Sequence, residues 1–403
     1  MSNPLPKEAM RGGPLQGVRV VELTKVWAGP YAGKQLAYLG AEVIKVESMG
    51  SLDVTRVYGV EDMNNAPGFK SVNPQKLSVQ IDMKSADGIK LLLDLLAKAD
   101  VVIESLRPGA VNRLGLGYDQ VKTIKPDIVY VSMGMYGAEG PLADQTGYAP
   151  CFAALGGLSA LVGYEGESPA GMNIRYADST FGNAAAFATT VALLHRRRTG
   201  EGQFIDVSAV EAMTSMIGDS VMDCTLNNVV SQADGNRHAE MAPHGVYPCQ
   251  GGEWLSLAIN SDNKWLALAA AMGLADDASF KTLVDRQANI ELLDEKIAAW
   301  TANQDAAELA ISLQQQGISA TKSQSSIDMI ADGNLWGRGF YPEVTDHEGR
   351  TRPTVGPSWK MSRMATIEAD APALGQHNDY VLGSILGLSE DEQQALTDAG
   401  TTR

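Results

Sequence analysis

Apolar residues fall in short solid runs, first at Val18, Val20, Val21 and Leu23 and again at Val43, Ile44 and Val46. Runs this short and this apolar suit strands covered on both faces, as in a parallel sheet. Between them, Tyr31 to Leu39 is spaced as a helix that Gly40 ends. Residues 17–47 therefore predict a strand–helix–strand unit with a right-handed crossover. Lys76 to Met83 (KLSVQIDM) alternates like a strand, and Ser85 is placed to cap a helix running through Ala97. Val101 to Glu104 is another buried strand, Pro108 and Gly109 turn into a short helix, and Asp127 to Met133 is a further strand. This alternation, kept up to about residue 135, predicts a doubly wound α/β fold with a parallel sheet.

The pattern then changes. Gly156, Gly157, Gly163, Gly166 and Gly171 crowd one loop. A long helix is expected from Met213 to about Cys224, and Asn227 to Ala242 is polar and loop-like. Gly245 to Ile259 is patterned as a β-hairpin about Gly251-Gly252, and Trp265 to Gln315 as helices. The expected organisation is a large domain over residues 1–227, to which 333–403 return, and a smaller α+β domain over 228–332.

One stretch carries candidate chemistry: NIRYADSTFGNAAAFATTVALLHRRRTGEGQFIDVSAVEAM, residues 173–213. It predicts a carboxylate, Asp178, at the mouth of a helix rich in alanine, with Phe187, Val191 and Leu194 at helical spacing within it. His195 and Arg196 to Arg198 suit the helix C-terminus, and Gly200 and Gly202 stop it before a strand at Phe204, Ile205 and Val207. Small side chains let another backbone come close, so the helix is expected inside a large protein. Two roles are open to Asp178: an N-cap that accepts a backbone N–H, or a nucleophile kept ionised by the positive end of the helix.

Bulk properties narrow the classes. The chain has 403 residues, 44% hydrophobic and 20% charged, with a net charge of −16. That balance argues against a nucleic-acid binder, which needs a basic face, but leaves room for an anionic ligand held by a few local cations. Cys151, Cys224 and Cys249 lie far apart and form no metal-like or disulfide-like spacing, nor do the five histidines. The opening MSNPLPKEAMRGGPLQG lacks an apolar signal segment, and no run reaches the length of a membrane span. A cytoplasmic protein is expected. The first turn reads Gly29-Pro30-Tyr31-Ala32-Gly33, not GxGxxG. Although Glu47 ends the second strand, where a ribose-binding acid would stand, no dinucleotide site is indicated.

The segments GVRVVELTKVWAGPYAGKQLAYLGAEVIKVE, IDMKSADG, VIESLRPGAVNRLGLGY, YADSTFGNAAA, LLHRRRTGEGQFIDVSAVEAM, APHGVYPCQGGEW and APALGQHNDYVL together resemble the class III CoA-transferases. That family includes the formyl-CoA and carnitine CoA-transferases, with the α-methylacyl-CoA racemases as relatives. The resemblance implies that Asp178 is the nucleophile and that CoA thioesters and free carboxylic acids are the substrates. It implies no tightly bound cofactor and no metal. It places Met83 against the adenine, Arg113 on the phosphates, and Trp27 and Tyr148 along the pantetheine channel. It also implies a homodimer of interlocked rings. The formyl-CoA enzyme has Gln at the Trp27 position and an acid at the Ala149 position, a change that favours a larger, more apolar acyl group. A racemase is the alternative, but its catalytic His is replaced here by Tyr148. A silent CoA-binding subunit is a third reading, against which Asp178 counts, and a dinucleotide oxidoreductase is last.

Overall fold

The computed structural model describes Pro6 and residues 9–170 and 175–403; Gly171 of the glycine-rich loop and Asn173 and Ile174 lie outside them. The chain divides into two compact units, Met1–Ser159 with Gly171–Val230 and Trp336–Arg403, and Ala160–Ala170 with Ser231–Leu335. Ala160–Ala170, which the sequence places in the first domain, belongs to the second unit. Among the described residues no helix is long and apolar enough to cross a membrane.

The first unit is built on a six-stranded parallel sheet: β1 (Arg19–Leu23), β2 (Glu42–Glu47), β3 (Leu77–Gln80), β4 (Val101–Glu104), β5 (Val129–Gly134) and β6 (Gln203–Ser208), in the order β3-β2-β1-β4-β5-β6. Val20 pairs with Val43 on one side and Val101 on the other, which aligns the solid apolar runs across neighbouring strands. Alternate residues face opposite ways. Val20, Val43, Val101, Ile103, Val129 and Val131 face one core, and Val21, Ile44, Val46, Val79 and Val102 the other. Helices cover both faces, so the doubly wound α/β expectation holds.

Helix α1 (Ala28–Tyr38) starts three residues earlier than its spacing suggested, because Pro30 is tolerated in a first turn whose N–H groups need no partner. α2 (Pro67–Val72) precedes β3. α3 (Ala86–Leu96) is capped by Ser85 Oγ, which accepts from the Gly88 N–H at 3.0 Å, as expected. β3 is shorter than the predicted strand, and the helices α4 (Ala110–Arg113), α5 (Tyr118–Ile124) and α6 (Ala149–Leu155) follow.

Helix α7 (Tyr176–Thr199) runs antiparallel to the strands. Its last turn lies at the amino ends of β4 and β5, where Arg196 Nη1 meets Asp100 at 2.7 Å and Nε meets Asp127 at 2.8 Å. Gly200 closes it with φ 80°, its N–H returning to the Arg196 carbonyl. The buried stripe holds Ala177, Phe181, Gly182, Ala185, Ala186 and Ala192. A Cβ on Gly182 would stand 2.6 Å from the Ala28 carbonyl oxygen, so α1 and α7 touch backbone to backbone there. Phe187, Val191 and Leu194, which the sequence places inside a buried helix, instead face outward, Phe187 with 72% exposure. The predicted long helix after Met213 starts earlier and is broken, into α8 (Ala209–Thr214) and α9 (Gly218–Asn227) around a 3-10 turn at Ser215–Ile217.

Beneath the turn after β1 lies a closed ionic network. Glu22, Lys45, Lys76 and Asp53 are all fully buried. Lys76 Nζ meets Glu22 Oε2 at 2.7 Å, and Lys45 Nζ stands 3.1 Å from Glu22 Oε1 and 3.0 Å from Asp53 Oδ2. A Cβ on Gly33 would fall 1.8 Å from Glu22 Oε2, so the glycine makes room for this carboxylate. The C-terminal stretch clasps the β2–β3 edge: the His377 N–H donates to the Ser78 carbonyl, and Tyr380 donates to Glu42 Oε1 at 2.6 Å.

The second unit carries an antiparallel sheet, β7 (His244–Pro248), β8 (Trp254–Ala258) and β9 (Ser319–Lys322). The β7–β8 hairpin turns at Gly251 and Gly252, with φ 73° and 79°, as the pattern predicted. Helices α10 (Asp262–Met272), α11 (Leu283–Ala288), α12 (Ile290–Thr301) and α13 (Ala306–Gln315) build a separate core around Trp265, Phe280 and Leu257.

Candidate functional site

Strand order reverses between β1 and β4, and in open α/β sheets ligands settle beyond the carboxyl ends of strands at such a point. α1 begins there, directly after β1, with Trp27 at its cap position. Because α7 runs antiparallel to the strands, its first turn lies on the same edge. The two helix starts meet: Arg175, at the cap position of α7, places its Cζ 4.9 Å from the centre of the Trp27 ring. Trp27 Nε1 is buried and has no hydrogen-bond partner among the described residues.

Asp178 is the third residue of α7, not its cap, because the chain turns helical at Tyr176, two residues before it. It is 9% exposed, and its carboxylate accepts no hydrogen bond among the described residues. The N-cap role open from the sequence is thereby removed. Burial pushes the carboxyl above the ordinary aspartate range, and the charge of Arg175 pulls it back. The guanidinium of Arg175 is the charge that opposes this effect of burial. A carboxylate that is nearly enclosed and accepts no hydrogen bond among the described residues has lone pairs it can offer to an incoming electrophile.

Tyr148 caps α6 with extended backbone, φ −111° and ψ 172°, and is 66% exposed; it is not the end of a strand. A Cβ on the preceding Gly147 would lie 2.6 Å from Met135 Sδ, just past β5, so Tyr148 stands on the same edge of the sheet. Phe152 and Phe181 touch at 6.2 Å between ring centres, one turn into α6 and α7, so the first turns of the two helices pack side by side. Arg113 is exposed on α4, after β4, with Nη1 lying along Gly109. Met83, just past β3, is 8% exposed and belongs to the apolar cluster against which Val111 and Leu114 of α4 pack.

The turn between β1 and α1 contributes more than its glycines. Val26 has φ 72°, a left-handed conformation that a β-branched residue adopts only under constraint. Its N–H donates to Asp53 Oδ1 at 3.1 Å. Lys25 Nζ reaches Ser51 Oγ at 2.6 Å, and burial, with Lys45 nearby, lowers its pKa. Arg175, Lys25 and Val26 were not singled out from the sequence. The available signal was a cation one helical turn before Asp178 and a non-glycine pair after β1, both commonplace until the fold brings them together. Glu47 is unavailable to a ribose: its carboxylate accepts from Arg56 at 2.9–3.1 Å and from the Asp53 N–H at 3.0 Å. Among the described residues, no group of three or more His, Cys, Asp or Glu side chains is placed to hold a metal ion.

Residues 15–378 match the family model described as CoA-transferase family III. The chain is 32% identical to the succinyl-CoA–D-citramalate CoA-transferase of Chloroflexus aurantiacus, over 94% of this chain and 96% of that one. It is 30% identical to the succinate–glutarate CoA-transferase of Agrobacterium fabrum, over 93% and 96%. In structure it is similar to a CAIB/BAIF family protein from Brucella suis, with a TM-score of 0.87 and 29% identity, over 93% of this chain and 100% of that one.

Proposed function

The chain belongs to CoA-transferase family III, and from that premise we propose that it moves CoA from an acyl-CoA to a free carboxylic acid with Asp178 as the nucleophile. The observation that carries this is an enclosed carboxylate with no hydrogen-bond partner among the described residues, one turn from a guanidinium, on the ligand-binding edge of the sheet. The relatives named above act on succinyl-CoA or succinate and on citramalate or glutarate, and dicarboxylic acids of that kind are the substrates proposed here.

The carboxylate attacks the thioester carbonyl, breaks the C–S bond and gives a mixed anhydride and CoA thiolate. The thiolate then attacks the aspartyl carbonyl, which releases the donor's acid and leaves an aspartyl-CoA thioester. An incoming acid reverses both steps: it displaces the thiolate from the aspartyl carbonyl, and the thiolate then takes the new acyl group and frees Asp178. Covalent catalysis thus splits one difficult exchange into easier ones. The free N–H groups of the first turns of α1 and α7 would face the oxyanions that form.

Incubation with acyl-CoA alone should leave CoA on the protein. Hydroxylamine should then give a hydroxamate, and borohydride an alcohol, both on the peptide containing Asp178. Exchange of the α-hydrogen of the acyl-CoA with deuterium from heavy water, with no mark on that peptide, would replace this function with racemisation.

Trp27 and Tyr148 are proposed to flank the pantetheine arm, Arg113 to meet the phosphates and Met83 to pack against the adenine. Arg113→Ala should raise the KM for the acyl-CoA about tenfold to a hundredfold, as expected for one charge-assisted contact, and change kcat little. Unchanged KM takes Arg113 out of the site.

A second copy of the chain is the proposed partner, in a dimer of interlocked rings with the smaller unit as second domain. Support comes from two apolar faces this chain leaves uncovered: Phe187, Val191 and Leu194 on α7, and Met222 and Leu226 on α9, a helix without a buried residue. Light scattering at micromolar concentration should give twice the chain mass; a fully active monomer would refute the dimer. A cytoplasmic location stays part of the proposal.

A further inference from the structure

Arg175 is a cation at this edge whose N–H donors no other described residue takes up. Lys25, Lys45, Lys76 and Arg56 each bind a hydroxyl or carboxylate. Arg175 makes no ion pair and no side-chain hydrogen bond among the described residues; its guanidinium rests on the Trp27 ring. The side chain is exposed, in a chain whose net charge of −16 offers many carboxylates. A guanidinium resting on an indole is held in place without using its N–H donors. Those donors form a planar fork that matches a carboxylate two bonds at a time.

Position decides which carboxylate. Arg175 lies one helical turn from Asp178, a rise of about 5 Å, close enough for its charge to act on that carboxyl. Whatever reacts at Asp178 presents its acyl portion there. The phosphates of CoA are held at the far end of the pantetheine arm and are out of reach. Resting on the proposed transfer at Asp178, we propose that Arg175, stacked on Trp27, is the specificity-determining residue that binds the second carboxylate of a short dicarboxylic acid. The wall formed by Trp27, expected from the sequence to favour a larger apolar acyl group, then carries a charged reader on its face. Monocarboxylic acids of the same length leave that reader unpaired.

The test compares glutarate with pentanoate as acceptors, with succinyl-CoA as donor. The two acids share a carbon skeleton and differ only at the distal carboxylate. In a double-displacement scheme, kcat/KM for the acceptor reports only the second half of the reaction, so the donor does not bias the comparison. The wild type should prefer glutarate. Arg175→Met keeps an unbranched stem on Trp27, and the ratio of the two kcat/KM values should fall about 10- to 150-fold, the worth of one charge-assisted contact. Any effect of the substitution on the acidity of Asp178 or on the fraction folded acts on both acids and cancels in the ratio. Arg175→Lys, which keeps the charge but not the fork, should lower the ratio by a smaller factor, and it decides the matter if the Met variant does not fold. An unchanged ratio in the folded variants, or a wild type that prefers pentanoate, overturns the assignment. If the wild type uses neither acid yet is still labelled at Asp178, this inference falls and the transferase function stands; absence of the label removes both.

Discussion

Asp178→Ala is expected to abolish CoA transfer, by a factor on the order of ten thousand or more, without unfolding the protein. Both halves follow from the same geometry. Removing a covalent nucleophile takes away the step itself, and single losses of that kind are among the largest measured in enzymes. No donor in the described structure relies on this carboxylate, so its removal orphans nothing. A buried carboxyl whose pKa burial has raised is itself an unfavourable group, so the alanine variant should melt no lower than the wild type. Asp178→Glu should retain at most a trace of activity, because the extra methylene moves the attacking oxygens away from where the aspartate holds them. Turnover assays beside thermal melts check both points; near-normal turnover in the alanine variant would remove Asp178 as nucleophile.

The second large effect concerns stability. Glu22→Ala should destabilise the protein by about 3–5 kcal/mol, the range for breaking a buried ion pair from one side, against a total of about 5–15 kcal/mol for a typical domain. Among the described residues Lys76 has no other carboxylate within ion-pair distance, and Lys45 would keep only Asp53. Adding Lys76→Met should restore part of the loss, so the double variant should be more stable than the Glu22 variant alone. Urea unfolding measures the three chains. A Glu22→Ala loss below about 0.5 kcal/mol, the scale of an ordinary surface change, would show that the network contributes little.

These two sites also mark how far the sequence could be read. β1, β2, β4 and β5 were legible because a strand covered on both faces must be an apolar run, whatever lies beside it, and β6 because Phe204, Ile205 and Val207 follow the glycines that end α7. Glu22 and Lys45 interrupt those runs, and their partners come from other strands and turns, which spacing along one strand does not reveal. α5 and α6 went unnoticed because they span two turns at most and carry little apolar period. The outward Phe187, Val191 and Leu194 misled because helical spacing says which residues share a face, not which face the core takes. Asp178 stood out as a carboxylate at a helix mouth, but its role as nucleophile came through a resemblance spread over many segments, while Trp27 under Arg175 depends on two helix starts meeting across the sheet edge. No local pattern records that meeting.

Arg196 has a mechanical consequence at the opposite end of α7. About 27 Å of helix separates it from Asp178, at 1.5 Å per residue. Its grip on Asp100 and Asp127 makes the sheet's amino edge the fulcrum of a lever whose tip is the reacting carboxylate. A tilt of one degree about that fulcrum moves the tip by about half an ångström, and misplacement by about one ångström is enough to slow a well-aligned reaction a hundredfold. Tolerance at the chemistry is thus set by angular stiffness at a surface-edge arginine.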